Sequence, residues 1–128
     1  MDQLREISSN HFENTIIISA GDESGVGPEI ILKALASNQI PQKVKIRIVG
    51  SKKNFINTYK SLKLTGIKNI ANPDELDIED IEVPKINSSN WKTNCGNSSF
   101  TYLKEAIKLT QSQQNTALVT APICKKSW

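Results

Sequence analysis

Apolar and polar positions along the chain follow two alternating rhythms. Ile16, Ile17 and Ile18 make an uninterrupted apolar run within 15–19, the pattern of a strand covered on both faces. Over 28–37, Ile31, Ala34 and Leu35 share one helical side, with Ile30 beside it. Residues 43–49 alternate strictly: Val44, Ile46 and Ile48 against Lys43, Lys45 and Arg47. That pattern predicts a strand with one face towards solvent, near a sheet edge. Residues 51–62 predict a second helix, with Phe55 and Tyr59 spaced at i and i+4. The polar stretch 66–94 is broken by Pro73 and Pro84 and leaves room for a short strand at 78–83. The strongest helical pattern is 98–111, where Phe100, Leu103 and Ile107 recur at i, i+3 and i+7. A second buried strand is expected at 116–120. Ala121-Pro122 ends it, because the residue before proline avoids the helical region. Strand–helix alternation of this kind predicts an α/β fold with a mainly parallel, doubly wound sheet.

The junction between the first strand and the first helix carries the densest chemistry. It reads Gly21-Asp22-Glu23-Ser24-Gly25-Val26-Gly27-Pro28-Glu29. Glycine permits positive φ and close approach of the backbone to a ligand. Pro28 suits the first helical position, where a missing N–H costs nothing. The remaining N–H groups of such a turn offer a site for an anion, at the strand ends where α/β enzymes hold ligands. Two common nucleotide loops are excluded. Gly25 and Gly27 begin a G-x-G-x-x-G fingerprint, but position 30 is Ile; a Walker loop needs glycine where Val26 stands. A tight turn with a purely structural purpose remains the competing reading.

A second block lies near the other end: Ala117-Leu118-Val119-Thr120-Ala121-Pro122-Ile123-Cys124-Lys125. The early glycine turn, followed by a helix rich in Ile, Leu and Ala, resembles the start of the 4-hydroxythreonine-4-phosphate dehydrogenase family. The late block resembles that family's A-L-V-T-[AG]-P-x-x-K. Gly96, Tyr102-Leu103 and Ala106 match a glycine and helix between them. The resemblance runs from about Ile16 to Trp128, weaker through 66–94. Two departures stand out: Glu23 occupies a position that is most often proline, and Cys124 one that is more often asparagine or histidine.

The resemblance implies the N-terminal part of a two-domain fold like that of isocitrate dehydrogenase. It implies a chemistry too: NAD or NADP with a divalent metal (zinc, magnesium or cobalt) oxidising a small phosphorylated hydroxy-amino acid, which is then decarboxylated. That reaction belongs to vitamin B6 biosynthesis, and the family implies a homodimer whose metal ligands come from both subunits. The family's metal histidines lie beyond these 128 residues, and the one histidine, His11, is in the polar stretch before the match. The chain is therefore read as a polar tail, 1–14, followed by a partial α/β domain, 15–128. A fragment of this kind is expected to be inactive alone. The alternative is a small anion-binding or interaction module that pairs with another chain. Isocitrate-type dehydrogenases and acyl-phosphate transferases have similar folds, but the paired motifs count against them.

Five residues are the candidates for the cleft: Asp22, Gly25, Gly27, Thr120 and Lys125. Asp22, with Glu23 beside it, either orients a substrate amine, a lysine or a metal-bound water, or serves only the helix dipole, at about 0.3–1 kcal/mol. If a helix starts after Pro122, Lys125 and Lys126 sit in its first turn, where cations oppose the dipole. A ligand phosphate or a facing carboxylate would remove the conflict at Lys125; a solvated lysine is the competing reading, favoured for Lys126. The Thr120 hydroxyl can donate to substrate or cap the next helix. Cys124 beside Lys125 could have a lowered pKa, although the family's chemistry needs no thiol. His11 alone cannot make a metal site.

Composition adds limits. The net charge of +3 comes from lysines scattered among acids, which points away from nucleic acid. Two cysteines are a poor disulfide framework. With no apolar leader or span, no membrane partner is expected and the cytoplasm is the expected compartment.

Overall fold

A computed structural model describes residues 14–22, 26–83 and 91–123, with only the backbone described for 91–96. The chain runs β1 (Asn14–Ser19), α1 (Gly27–Leu35), β2 (Val44–Gly50), α2 (Lys52–Leu64), a 3₁₀ turn (Pro73–Glu75), β3 (Ile78–Asp80), α3 (Trp91–Gln111) and β4 (Thr116–Thr120). The strands form one four-stranded sheet in the order β3-β2-β1-β4. Every pairing is parallel, with Ile17 opposite Arg47 on one side and Leu118 on the other. The expected α/β sheet is therefore present, and most elements fall where the periodicity put them.

Parallel register places side chains of paired residues on the same face. One face carries Ile16, Ile18, Ile46, Ile48 and Val119; the other carries Ile17, Ser19, Val49, Leu118 and Thr120. α1 and α2 pack against each other, and Ala34 and Leu35 of α1 lie beside Ile16 and Ile18. α3 packs on β1, β4 and β2 across the opposite face. The core joins Ile17, Leu32, Ile48, Val49, Phe55 and Tyr102, each no more than 1% exposed. Local signals terminate the helices as their sequences require. Ser51 caps α2 by accepting from the Asn54 N–H at 3.2 Å, and the Lys52 N–H donates to Asp80 Oδ1 at 2.9 Å.

The structure corrects several expectations. β2 is interior, flanked by β1 and β3. Its polar side is accommodated because Arg47 is ion-paired to Glu79 of β3 at 2.8 Å. Conversely β4, expected to be buried, is an edge strand among the described residues, with Ala117, Val119 and Thr120 exposed. In α1, Leu32 is fully buried, whereas Ile30 points out at 45% exposure.

α3 departs furthest from expectation. It begins at Trp91, ahead of the predicted 98, and carries Gly96 inside it. Its buried side is Ser99, Tyr102 and Ala106, while Phe100 and Ile107 are 50% and 38% exposed. Small residues let the helix approach the sheet closely, and one large ring fills the remaining space. Residues 1–13, expected to form a polar tail, lie outside the described residues, and β1 already begins at Asn14.

This reassignment of the α3 face is directly testable. Tyr102→Ala should destabilise the chain by about 3–5 kcal/mol, as for a buried aromatic, whereas Phe100→Ala should cost less than about 1 kcal/mol. Urea unfolding followed by circular dichroism reads both; equal losses would restore the Phe100 face as the buried one.

Candidate functional site

Sheet order determines where a crevice can form. From β1 the chain moves through α1 to β2 on one side; it later returns through α3 to place β4 on the other side of β1. The helices that follow β1 and precede β4 therefore lie on opposite faces, so the strand order reverses between these two strands. In open parallel sheets such a reversal of strand order is the usual ligand crevice.

Two backbone bends meet at the carboxyl ends of β1 and β4. After β1, Gly21 takes φ +77°, a left-handed conformation that L side chains rarely adopt. A Cβ at Gly21 would overlap the Pro122 carbonyl oxygen and crowd that of Ala121 at 3.1 Å. The Asp22 N–H donates to the Pro122 carbonyl at 3.4 Å, and the Ala121 N–H donates to the Ser19 carbonyl at 2.9 Å. The early bend is also tied to β2, because the Ala20 N–H donates to the Val49 carbonyl at 2.9 Å. Gly27 opens α1 beneath the bend, where a Cβ would overlap the Ala20 carbonyl oxygen. The glycines are thus required by backbone approaching backbone.

Of the five candidate residues, three are described. Asp22 is buried at 6% exposure within the early bend, Gly27 lies beneath it, and Thr120 ends β4 in register with Ser19. These three sit at one end of the sheet. Gly25 and Lys125 lie outside the described residues, as do His11, Glu23, Cys124 and Lys126. Ser19 is a residue the sequence reading passed over. It is fully buried at the end of β1, and its Oγ has no hydrogen-bond partner among the described residues. A hydroxyl closing an otherwise all-isoleucine run was the available signal.

The α1 N-terminus has limited capacity for an anion. Val26 supplies no side-chain cap, Pro28 has no N–H, and the Ile30 N–H is already bonded to the Val26 carbonyl at 2.9 Å. Gly27 and Glu29 carry the other N–H groups of this turn. Among the described residues no cluster of three His, Cys, Asp or Glu side chains could hold a metal ion. None of their helices is long and apolar enough to cross a membrane.

Comparison with known proteins gives this geometry a context. The family model for the pyridoxal phosphate biosynthetic protein PdxA matches residues 28–128. A 4-hydroxythreonine-4-phosphate dehydrogenase from Synechocystis is 33% identical over 118 residues, which cover 88% of this chain and 34% of the relative. A Fusobacterium nucleatum protein, named provisionally as a D-threonate 4-phosphate dehydrogenase, is 30% identical over 88% of this chain and 37% of its own length. The crystal structure of a 4-hydroxythreonine-4-phosphate dehydrogenase from Burkholderia phymatum superposes with a TM-score of 0.70 at 22% identity. It covers 89% of this chain and 38% of that one. The chain thus spans about a third of the length of these relatives and corresponds to their N-terminal portion.

A matched pair of glycine substitutions isolates the contact between the bends. Gly66 has φ +89° with nothing within 4 Å of an added Cβ, whereas Gly21 has the same sign of φ and the Pro122 carbonyl in the way. Gly66→Ala should therefore cost only the conformational term of about 1 kcal/mol, and Gly21→Ala at least about 2 kcal/mol more. Equal losses in chemical denaturation would show that the bends do not touch.

Proposed function

Because the chain belongs to the PdxA family of pyridoxal phosphate biosynthetic proteins, we propose that it is the N-terminal portion of a 4-hydroxythreonine-4-phosphate dehydrogenase. The observation that carries this reading is the meeting of Gly21-Asp22 with Ala121-Pro122 at the mouth between β1 and β4. In this reading the crevice admits a small phosphorylated hydroxy-amino acid. A bound NAD or NADP would supply the hydride acceptor for oxidation of its secondary alcohol, and the β-keto acid so formed would lose carbon dioxide.

The described residues do not fit a divalent metal, since they bring no set of ligands together. In this reading the metal ligands and the homodimer are features of the full-length family enzyme, and the described residues serve neither. What these residues contribute is orientation. Asp22, buried in the early bend, holds a carboxylate proposed to receive a substrate ammonium group, and its own N–H donates to the Pro122 carbonyl at 3.4 Å. Thr120 places a hydroxyl at the end of β4, and Lys125, five residues further along the chain, is the residue proposed to meet the substrate phosphate. The cytoplasm is the compartment proposed for this chemistry.

A second reading is favoured by one specific observation, the Fusobacterium relative whose name specifies D-threonate 4-phosphate. That compound has no amine, so a carboxylate at Asp22 would then meet a hydroxyl instead. The two readings differ in what Asp22 does.

The 128-residue chain should show no reduction of NAD or NADP with either substrate and added metal. Measurable turnover by this chain alone would overturn its assignment as an incomplete catalyst. In a full-length form carrying these residues, Asp22→Asn should lower kcat/KM for the amino substrate by at least about tenfold, with the folded state retained. For D-threonate 4-phosphate the loss should be smaller. Steady-state kinetics on both substrates checks this, and unchanged constants on both would remove Asp22 from the site.

A further inference from the structure

The sheet uses the backbone of Ser19 but not its side chain. The Ser19 carbonyl accepts from the Ala121 N–H at 2.9 Å. The residue is fully buried, and its Oγ has no hydrogen-bond partner among the described residues. A buried hydroxyl in that condition gives up its hydration without return, so alanine would fill the same place at lower cost. Such a group calls for an explanation beyond packing.

The groups that face it can be named. Parallel register sets Ser19 between Val49 on β2 and Thr120 on β4, all three on the face that carries α3. Val49 is buried and has no polar side-chain atom. Ile17 and Leu118, one step back on the same face, are apolar too. α3 brings Ser99 and Tyr102, both buried and both engaged in interactions of their own. Thr120 is different. Neighbouring strands lie about 4.8 Å apart, a gap that two short side chains on one face can bridge with a hydroxyl–hydroxyl bond of about 2.7–2.8 Å.

Exposure divides the pair. Ser19 is sealed inside, whereas Thr120 is exposed at the end of β4. The outer hydroxyl can meet a ligand; the inner one can only act through its neighbour.

We propose that Ser19 is a positioning residue for the crevice. When a ligand binds, rotation about χ1 lets the Ser19 O–H donate to Thr120 Oγ1, which aims the Thr120 O–H at an acceptor oxygen of the phosphorylated substrate. Linked hydroxyls strengthen one another, because one that accepts a bond becomes a better donor. A rim donor also keeps its geometry only where a packed group behind it holds the rotamer. The inference deepens the proposed reaction and rests on it for the ligand. It makes Thr120 a donor to substrate in place of a helix cap.

The test uses a full-length form carrying these residues. Ser19→Ala and Thr120→Val should each lower kcat/KM for the amino substrate by about fivefold or more. The double variant should lose little more than either alone, because both changes break one chain of bonds. Ser19→Thr keeps the hydroxyl and should return kcat/KM to within about twofold of the parent. Ser19→Cys, close to serine in size but a weak donor, should behave as Ser19→Ala does and covers the case in which the added methyl of threonine prevents folding. The urea midpoint of Ser19→Ala should be no lower than that of the parent, since the ligand-free protein loses no bond. The Thr120 χ1 angle, read from three-bond couplings with 4-hydroxythreonine 4-phosphate or D-threonate 4-phosphate bound, should settle in one rotamer in the parent and average over several in Ser19→Ala. Unchanged kinetics in Ser19→Ala, or losses that simply add, would overturn the inference and leave the proposed reaction standing. Binding without turnover would count against the reaction, and the χ1 comparison on the bound compound would then decide this inference alone. A form that binds neither compound would overturn both.

Discussion

Parallel pairing of β1 with β4 is the constraint on which the rest of this structure depends. It joins segments from opposite ends of the chain, so its loop-closure cost is large and local hydrogen bonds alone cannot offset it. α3 supplies the difference by packing on both strands at once, with Tyr102 and Ala106 buried in the core. Once the register is set, the positions of both bends follow from backbone geometry. Ser19 lies opposite Thr120, Ala121 bonds back to Ser19, and the Gly21 turn is pressed against Pro122. The site is thus organised first by main-chain contacts, and its side chains are placed on that frame.

Element existence was legible in the sequence because it depends on local rhythm. The isoleucine run gave β1, strict alternation gave β2, and Phe55 with Tyr59 gave α2, whose buried anchor is indeed Phe55. Sheet order was not legible, because alternation reports how many faces are apolar and not which neighbours a strand has. β2 therefore looked like an edge although it is interior. β4 looked interior although the described residues leave one side open. α3 was misread for a different reason. Periodicity rewards large apolar residues, but a helix lying close on a sheet favours small ones at the contact, here Ser99 and Ala106 around a single tyrosine. Of the candidate site, the meeting of the two blocks could be anticipated from a resemblance carried by both. The burial of Ser19 could not, since one hydroxyl among isoleucines has no period.

The exposed apolar surface has a consistent distribution. Phe100 and Ile107 on α3, Val119 on β4 and Ile30 on α1 are all well exposed in an α/β fold whose core is otherwise closed. Scattered apolar residues need no explanation. Val119 differs because it adjoins both an unpaired edge and a groove lined by Ile16 and Ile18. The opposite edge strand, β3, is only three residues long and carries Glu79 and Asp80. The two edges of one sheet therefore differ in charge and in the apolar surface beside them.

The end of β4 and the early bend are linked through a few atoms. Thr120 closes β4 and is two residues from Pro122, whose carbonyl receives the Asp22 N–H at 3.4 Å. A bond of that length is weak and tolerates displacement. The pairing of β4 with β1 carries more of this junction: Ser19 stands opposite Thr120, and the Ala121 N–H donates to the Ser19 carbonyl at 2.9 Å. The Gly21 bend is then held against Pro122 by close backbone packing, which only a residue without a Cβ permits.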